Sequence, residues 1–174
     1  MIKKTFVLWL VTFIIFGVVA HLIYKKEAIL SQGTTMLLAL APVDPRSLMQ
    51  GDYMTLNYAM NDKIHQMTYQ QSTMNGFIVV KLDGNQVANI VRLHDDKTPL
   101  KENEHLLHFR KRATGTRIAS EAFFFQEGHA NDFSDARFGE IKVSNNGDTV
   151  LLGLRDSEYK PLTHQELEPV KEKH

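Results

Sequence analysis

The sequence predicts a mainly β (α+β) protein, an N-terminal transmembrane helix followed by one antiparallel β-rich domain with one or two short helices. Three observations lead there. Residues Thr5 to Tyr24 form an apolar run of membrane length. Beyond it, apolar and polar residues alternate in short segments, the period of a half-buried strand. Turn pairs, Asp83-Gly84 and Asn146-Gly147, separate such segments at hairpin spacing.

The run from Thr5 to Tyr24 is interrupted by no charge, only by Thr5, Thr12 and His21 among polar side chains. Its length of about 20 residues is what an α-helix needs to cross roughly 30 Å of hydrocarbon. Trp9 and Tyr24 lie near its two ends, where aromatic side chains favour the membrane–water interface. A cleaved signal peptide is the competing reading, because Val18-Val19-Ala20 resembles a small-residue cleavage site and would leave a chain starting at His21. A buried core helix fits less well, since the run is apolar on every face. The expected division is a signal-anchor over 1–24, a linker over 25–34, a domain over 35–158 and a charged, mobile tail over 159–174. Lys3 and Lys4 precede the run and Lys25 and Lys26 follow it, so the positive-inside count nearly ties. The expected topology is a single pass through a bacterial inner membrane, N-terminus cytoplasmic and domain periplasmic.

The elements follow in order. Residues 25–34 continue as a short helix ending at Ser31-Gln32-Gly33, and Met36–Ala41 is a brief apolar run stopped by Pro42 and Pro45. From Tyr53 the chain alternates, with Met54, Leu56, Tyr58 and Met60 on one face and Tyr53, Thr55 and Asn57 on the other. Met60, Ile64, Met67 and Met74 then recur at helical spacing, so an amphipathic helix is expected over 61–74 with Asn61 as its cap. Phe77–Leu82 and Val87–Leu93 form a hairpin about Asp83-Gly84, and residues 94–104 are a polar loop. Leu107 and Phe109 alternate with His108 and Arg110 in another strand, and Ile118–Phe125 is one more. A short helix is expected over Ala130–Arg137. Ile141 and Val143 pair across Asn146-Gly147 with Val150, Leu152 and Leu154.

Composition excludes several classes. Removing Lys3 and Lys4 from the 20 basic residues leaves 18 against 20 acidic ones, a balance that does not suit nucleic acid. There is no cysteine, hence no disulfide, thiolate metal site, cysteine-linked lipid or cysteine nucleophile. The core alone must hold the domain together.

Gly51-Asp52-Tyr53-x-x-Leu56-x-Tyr58 reproduces each defined position of the GDYxxLxY family of bacterial membrane-anchored proteins, which the chain resembles over most of its length. The approach Pro42-Val43-Asp44-Pro45-Arg46-Ser47-Leu48 is similar to that family's, and Phe123-Phe124-Phe125-Gln126-Glu127-Gly128 with Ala136-Arg137 resembles its later aromatic block. Gln126 stands where a proline is expected, and Ser134-Asp135 where a glutamate is common. The resemblance brings no established activity; it implies a multi-pass membrane protein as companion. Asp44, Arg46, Gly51, Asp52, Tyr53, Leu56, Tyr58, Glu127 and Gly128 are the motif or binding candidates. Physically, Gly51 suits a turn and Asp52 an Asx-type strand entry. Leu56 and Tyr58 then read as core, and Asp52, Tyr53 and Arg46 as the candidates for recognition.

Catalytic patterns are thin. Ser47-Leu48-x-x-Gly51-Asp52 is similar to a piece of type I signal peptidases, but Val43 occupies the place of their nucleophile and cannot attack a carbonyl. His105 and His108 point to opposite faces of a strand, and His129, Asp132 and Asp135 recur as on a solvated helix start, so no metal or other cofactor is expected. The preferred expectation is a non-enzymatic accessory domain in contact with the lipid bilayer and a multi-pass partner. The alternatives are an envelope hydrolase using Asp52 or the histidines, and a small-ligand or lipid-binding module using Tyr53 and Phe123–Phe125.

Overall fold

The computed structural model describes residues 2–41, 49–50, 53–69, 74–95, 97–112 and 115–163. Helix α1 (Ile2–Gln32) runs unbroken for 31 residues, about 46 Å at 1.5 Å per residue. Its apolar side chains from Phe6 to Tyr24 lie bare, uncovered by the other described residues. Among the described residues it is the one helix long and apolar enough to cross a membrane.

The last two turns of α1 behave differently. Ile29 is buried to 4 % exposure, and Gly33 N–H closes the helix on the Ile29 carbonyl at 2.9 Å. A side chain on Gly33 would meet the backbone oxygens of Ile29 and Val143, so only glycine lets the strand leave the helix there. Lys25 pairs with Asp148 at 2.9 Å, and Lys142 donates to the Leu30 carbonyl. The hydrogen bond from Lys25 holds the Asp148 carboxyl below the ordinary carboxylate range. The membrane-length helix is thus stitched to the β-domain that follows.

Eleven short strands form three antiparallel sheets among the described residues. The first is β1 (Thr34–Ala39), β9 (Phe138–Val143), β10 (Thr149–Arg155) and β11 (Pro161–Leu162), in that order. The second places β3 (Tyr53–Thr55) between β2 (Met49–Gln50) and β8 (Ala122–Phe124). The third has the order β5 (Ala88–Leu93), β4 (Asn75–Leu82), β6 (Glu104–Arg112), β7 (Gly115–Arg117). One core joins them, centred on Met36, Leu38, Tyr58, Ile64, Ile78, Leu107, Phe109, Ile141 and Leu154. The alternation read from Met54 to Met60 holds: the even positions are buried and Thr55 and Asn57 exposed.

Several expectations are corrected. Helix α2 spans Met60–Met67 instead of 61–74; Ala59 occupies the cap, and Asn61 lies inside the first turn with its amide on Asn57 Oδ1. The helix stops because Thr68 turns its buried hydroxyl onto the Ile64 carbonyl at 2.8 Å while Lys111 Nζ takes the Thr68 carbonyl at 2.9 Å. Met74 is left 63 % exposed beyond it. In the β4–β5 hairpin the positive φ falls on Gln86 (63°), not on Gly84. The loop is longer than a two-residue turn because the Asp83 carboxylate accepts the N–H groups of Asn85 and Val87, both at 2.9 Å.

Ile118–Phe125 is not one strand. Around Ser120 the chain leaves the third sheet at β7 and enters the second at β8. Ser120 Oγ bonds the Ala122 carbonyl at 2.8 Å across the bend. In β10 the alternation fails at Leu152, 42 % exposed, because the register shifts between Leu151 and Gly153. The helix expected over Ala130–Arg137 is a 3-10 turn at Ala130–Phe133. Tyr159 stacks on Phe138 at 5.0 Å between ring centroids, and Pro161–Leu162 pairs with β10. Arg155 locks this corner, donating to both Glu140 oxygens at 2.9 and 2.8 Å and to the Tyr159 carbonyl at 2.7 Å.

Candidate functional site

The motif strand and the later aromatic block, some seventy residues apart, are neighbours. Tyr53 faces Phe124 across the β3–β8 ladder, Met54 faces Phe123, and Thr55 faces Ala122. Leu56 N–H extends the pairing to the Glu121 carbonyl at 2.8 Å. The β3–β8 pair of the second sheet is therefore made from the motif strand and the later aromatic block.

The inward side of this sheet is structural. Leu56 is buried, and Tyr58 is 1 % exposed with its hydroxyl donating to the Ser120 carbonyl at 2.9 Å. Burial pushes the Tyr58 phenol pKa well above its ordinary value. The backbone beside it is tied to the first sheet: Ala41 N–H meets Asn57 O at 2.7 Å, and Ala59 N–H meets Ala39 O at 2.9 Å. Leu40 N–H reaches Arg137 O at 2.8 Å, and Arg137 N–H reaches Arg155 O at 2.8 Å. The Tyr58 ring lies over Gly139 of β9, where a Cβ would stand 3.0 Å from Tyr58 Cε1. Leu56 and Tyr58 thus pin three parts of the fold together: β1, the Ser120 bend and β9.

The outward side is different. Tyr53 is half-buried, Phe124 is 74 % exposed, and their rings lie 5.8 Å apart. Phe123 and Phe125 turn the other way onto Phe133, at 4.9 and 5.5 Å. The two clefts at the β6–β7 hairpin and beside the end of α1 are lined by residues other than Tyr53 and Phe123–Phe125. Glu127 is exposed in the turn after β8, and Gly128 takes a φ of 85° that a side chain would strain. Asp44, Arg46, Gly51 and Asp52 lie outside the described residues.

Of the histidines, His129 Nδ1 lies 3.1 Å from Asp132 Oδ2, while His94 and His108 flank the ring of Phe77. Among the described residues no three His, Asp or Glu side chains converge as a metal would require. Two contributors to the site escaped the sequence. The Ser120 carbonyl is a backbone group and leaves no trace in composition. Gly139 could have been noticed as a glycine inside an otherwise alternating strand, a sign of close approach.

The GDYXXLXY protein family profile matches residues 15–154. The chain belongs to that family. The match begins within the apolar stretch of α1 and ends on β10, so it takes in the second half of that stretch, the motif sheet and most of the core. No curated protein and no solved structure matches the chain. In this GDYXXLXY protein, Tyr53–Thr55 of the motif and Ala122–Phe124 at the aromatic block are adjacent strands of one small sheet.

Proposed function

We propose that this GDYXXLXY protein is a non-enzymatic accessory domain, tethered by α1 to a bacterial inner membrane on its periplasmic side, which assembles with a multi-pass membrane protein. The observation that carries the reading is the continuity of α1. A bare apolar stretch of membrane length passes without a break into two turns docked on the domain, so the domain is held at the bilayer surface in a set orientation. A domain held in this way samples partners in the same bilayer at high effective concentration. The exposed Phe124 beside Tyr53 supplies an aromatic anchor of the kind that dominates protein interfaces.

A photo-crosslinking residue at position 124, activated in native membranes, is expected to capture a protein with several membrane spans. Capture of soluble proteins alone, or of none, would contradict the assembly. A reporter active only outside the cytoplasm, fused after His174, is expected to be active, and activity of a cytoplasm-only reporter at that point would reverse the orientation.

A further inference from the structure

We infer that the cleft between the β6–β7 hairpin and the β9–β10 turn binds the phosphate headgroup of an anionic membrane lipid. It is an open cavity of about 490 Å³, walled by His108, Arg110 and Arg112 of β6, Arg117 of β7 and Lys26 of α1. Period two puts His108, Arg110 and Arg112 on one face of β6, while Lys111 turns to the other face and caps α2. Arg110 and Arg117 are direct partners in the β6–β7 register. Like charges at opposed positions of a ladder destabilise it, so the arrangement favours an anion between them.

The acids of the cleft do not neutralise it. Glu121 is engaged by Arg117 and Asp148 by Lys25, which leaves Lys26, Arg110 and Arg112 in excess. Among the described residues Arg110 and Arg112 have no ion-pair partner, and Lys26 has a long hydrogen bond of 3.4 Å to the Thr149 carbonyl.

The height of the cleft, which rests on the membrane-anchor reading, identifies the anion's source. The apolar run ends at Tyr24, and Lys26 follows about 3 Å further along the helix axis. The headgroup layer on each side of the hydrocarbon is roughly 5–8 Å deep. A cleft walled by Lys26 therefore stands among lipid phosphates, where guanidinium forks match phosphate oxygens in pairs. A phosphate anion in solution has the same chemistry, and the experiment separates the two.

The full chain is placed in nanodiscs of phosphatidylcholine, with phosphatidylglycerol at increasing mole fraction, and amide exchange is followed over residues 104–122. Phosphatidylglycerol is expected to slow exchange there. Arg110→Gln with Arg112→Gln is expected to weaken the response about 10- to 30-fold, as the loss of two cationic side chains at an anionic surface implies. Both arginines are exposed, so the variant is expected to melt like the parent; should it fail to fold, Lys26→Gln is read in its place. An equal response in parent and variant, or none in either, overturns the site. Inorganic phosphate producing the same protection in pure phosphatidylcholine overturns the lipid as its ligand. Carbonate extraction of the same chain from membranes tests the anchor separately. Loss of the protein from the membrane there removes the anchor reading, whereas a retained chain with no lipid response removes the cleft alone.

Discussion

Replacing Tyr58 with alanine is expected to destabilise the domain by about 3–5 kcal/mol, the range for deleting a buried aromatic ring. The ring, 1 % exposed, fills the space over Gly139, beside the Leu151 side chain. Tyr58→Phe keeps the ring and removes the hydroxyl, so the Ser120 carbonyl loses its donor inside the protein. That loss is expected to cost about 1–2 kcal/mol. The phenol also gives the effect a pH signature. Its folded pKa is raised, so its contribution is complete below the ordinary phenol value and is lost as pH rises from there through the raised one. Urea titrations across the alkaline range are expected to show a shallower decline for Tyr58→Phe than for the parent.

The second large effect concerns α1. Ile14→Asp with Ile15→Asp puts two carboxylates at the centre of the apolar run, each opposing insertion by about 2.5–3.5 kcal/mol. Together they are expected to bring the helix from stable insertion to failure, with the chain released by carbonate extraction or degraded. The β-domain holds its own core, and α1 contributes Ile29 and the Lys25–Asp148 and Lys142–Leu30 contacts from beyond the substituted turns. The released chain is therefore expected to melt near the parent temperature. Retention of the double variant in carbonate-washed membranes would mean that α1 is not what holds the protein there.

Much of this was legible because the responsible signals are local. An uninterrupted apolar run, a period of two and an Asn-Gly pair each report on a few consecutive residues, and they located α1, the β4, β6 and β9 strands and the turn at Gly147. The failures share a different cause. Nothing near Met67 says that Lys111, from a distant strand, will close α2 at Thr68. Nothing in Ile118–Phe125 says that its two halves belong to different sheets, because the bend at Ser120 is held by a tyrosine sixty-two residues earlier. The β-bulge at Leu151–Gly153 likewise depends on register against β9, which period alone does not carry.

The same division applies to the motif. Its two faces were readable from alternation, and so was the assignment of Leu56 and Tyr58 to the core. That the second block would pair with it, residue against residue, came only with the sheet. Tyr53 and Phe124 lie opposite each other on the surface side of the β3–β8 ladder, while Tyr58, just beyond β3, holds the fold from within. Substitutions at exposed positions away from caps and networks seldom change stability by more than about 0.5 kcal/mol.

The melting temperatures of Tyr58→Phe and Phe124→Ser, measured side by side on the full chain, test that division most directly. Tyr58→Phe is expected to melt several degrees below the parent, since about 1 kcal/mol moves a domain of this size by a few degrees, while Phe124→Ser melts with the parent. A Tyr58→Phe variant as stable as the parent, or a Phe124→Ser variant equally destabilised, would contradict it.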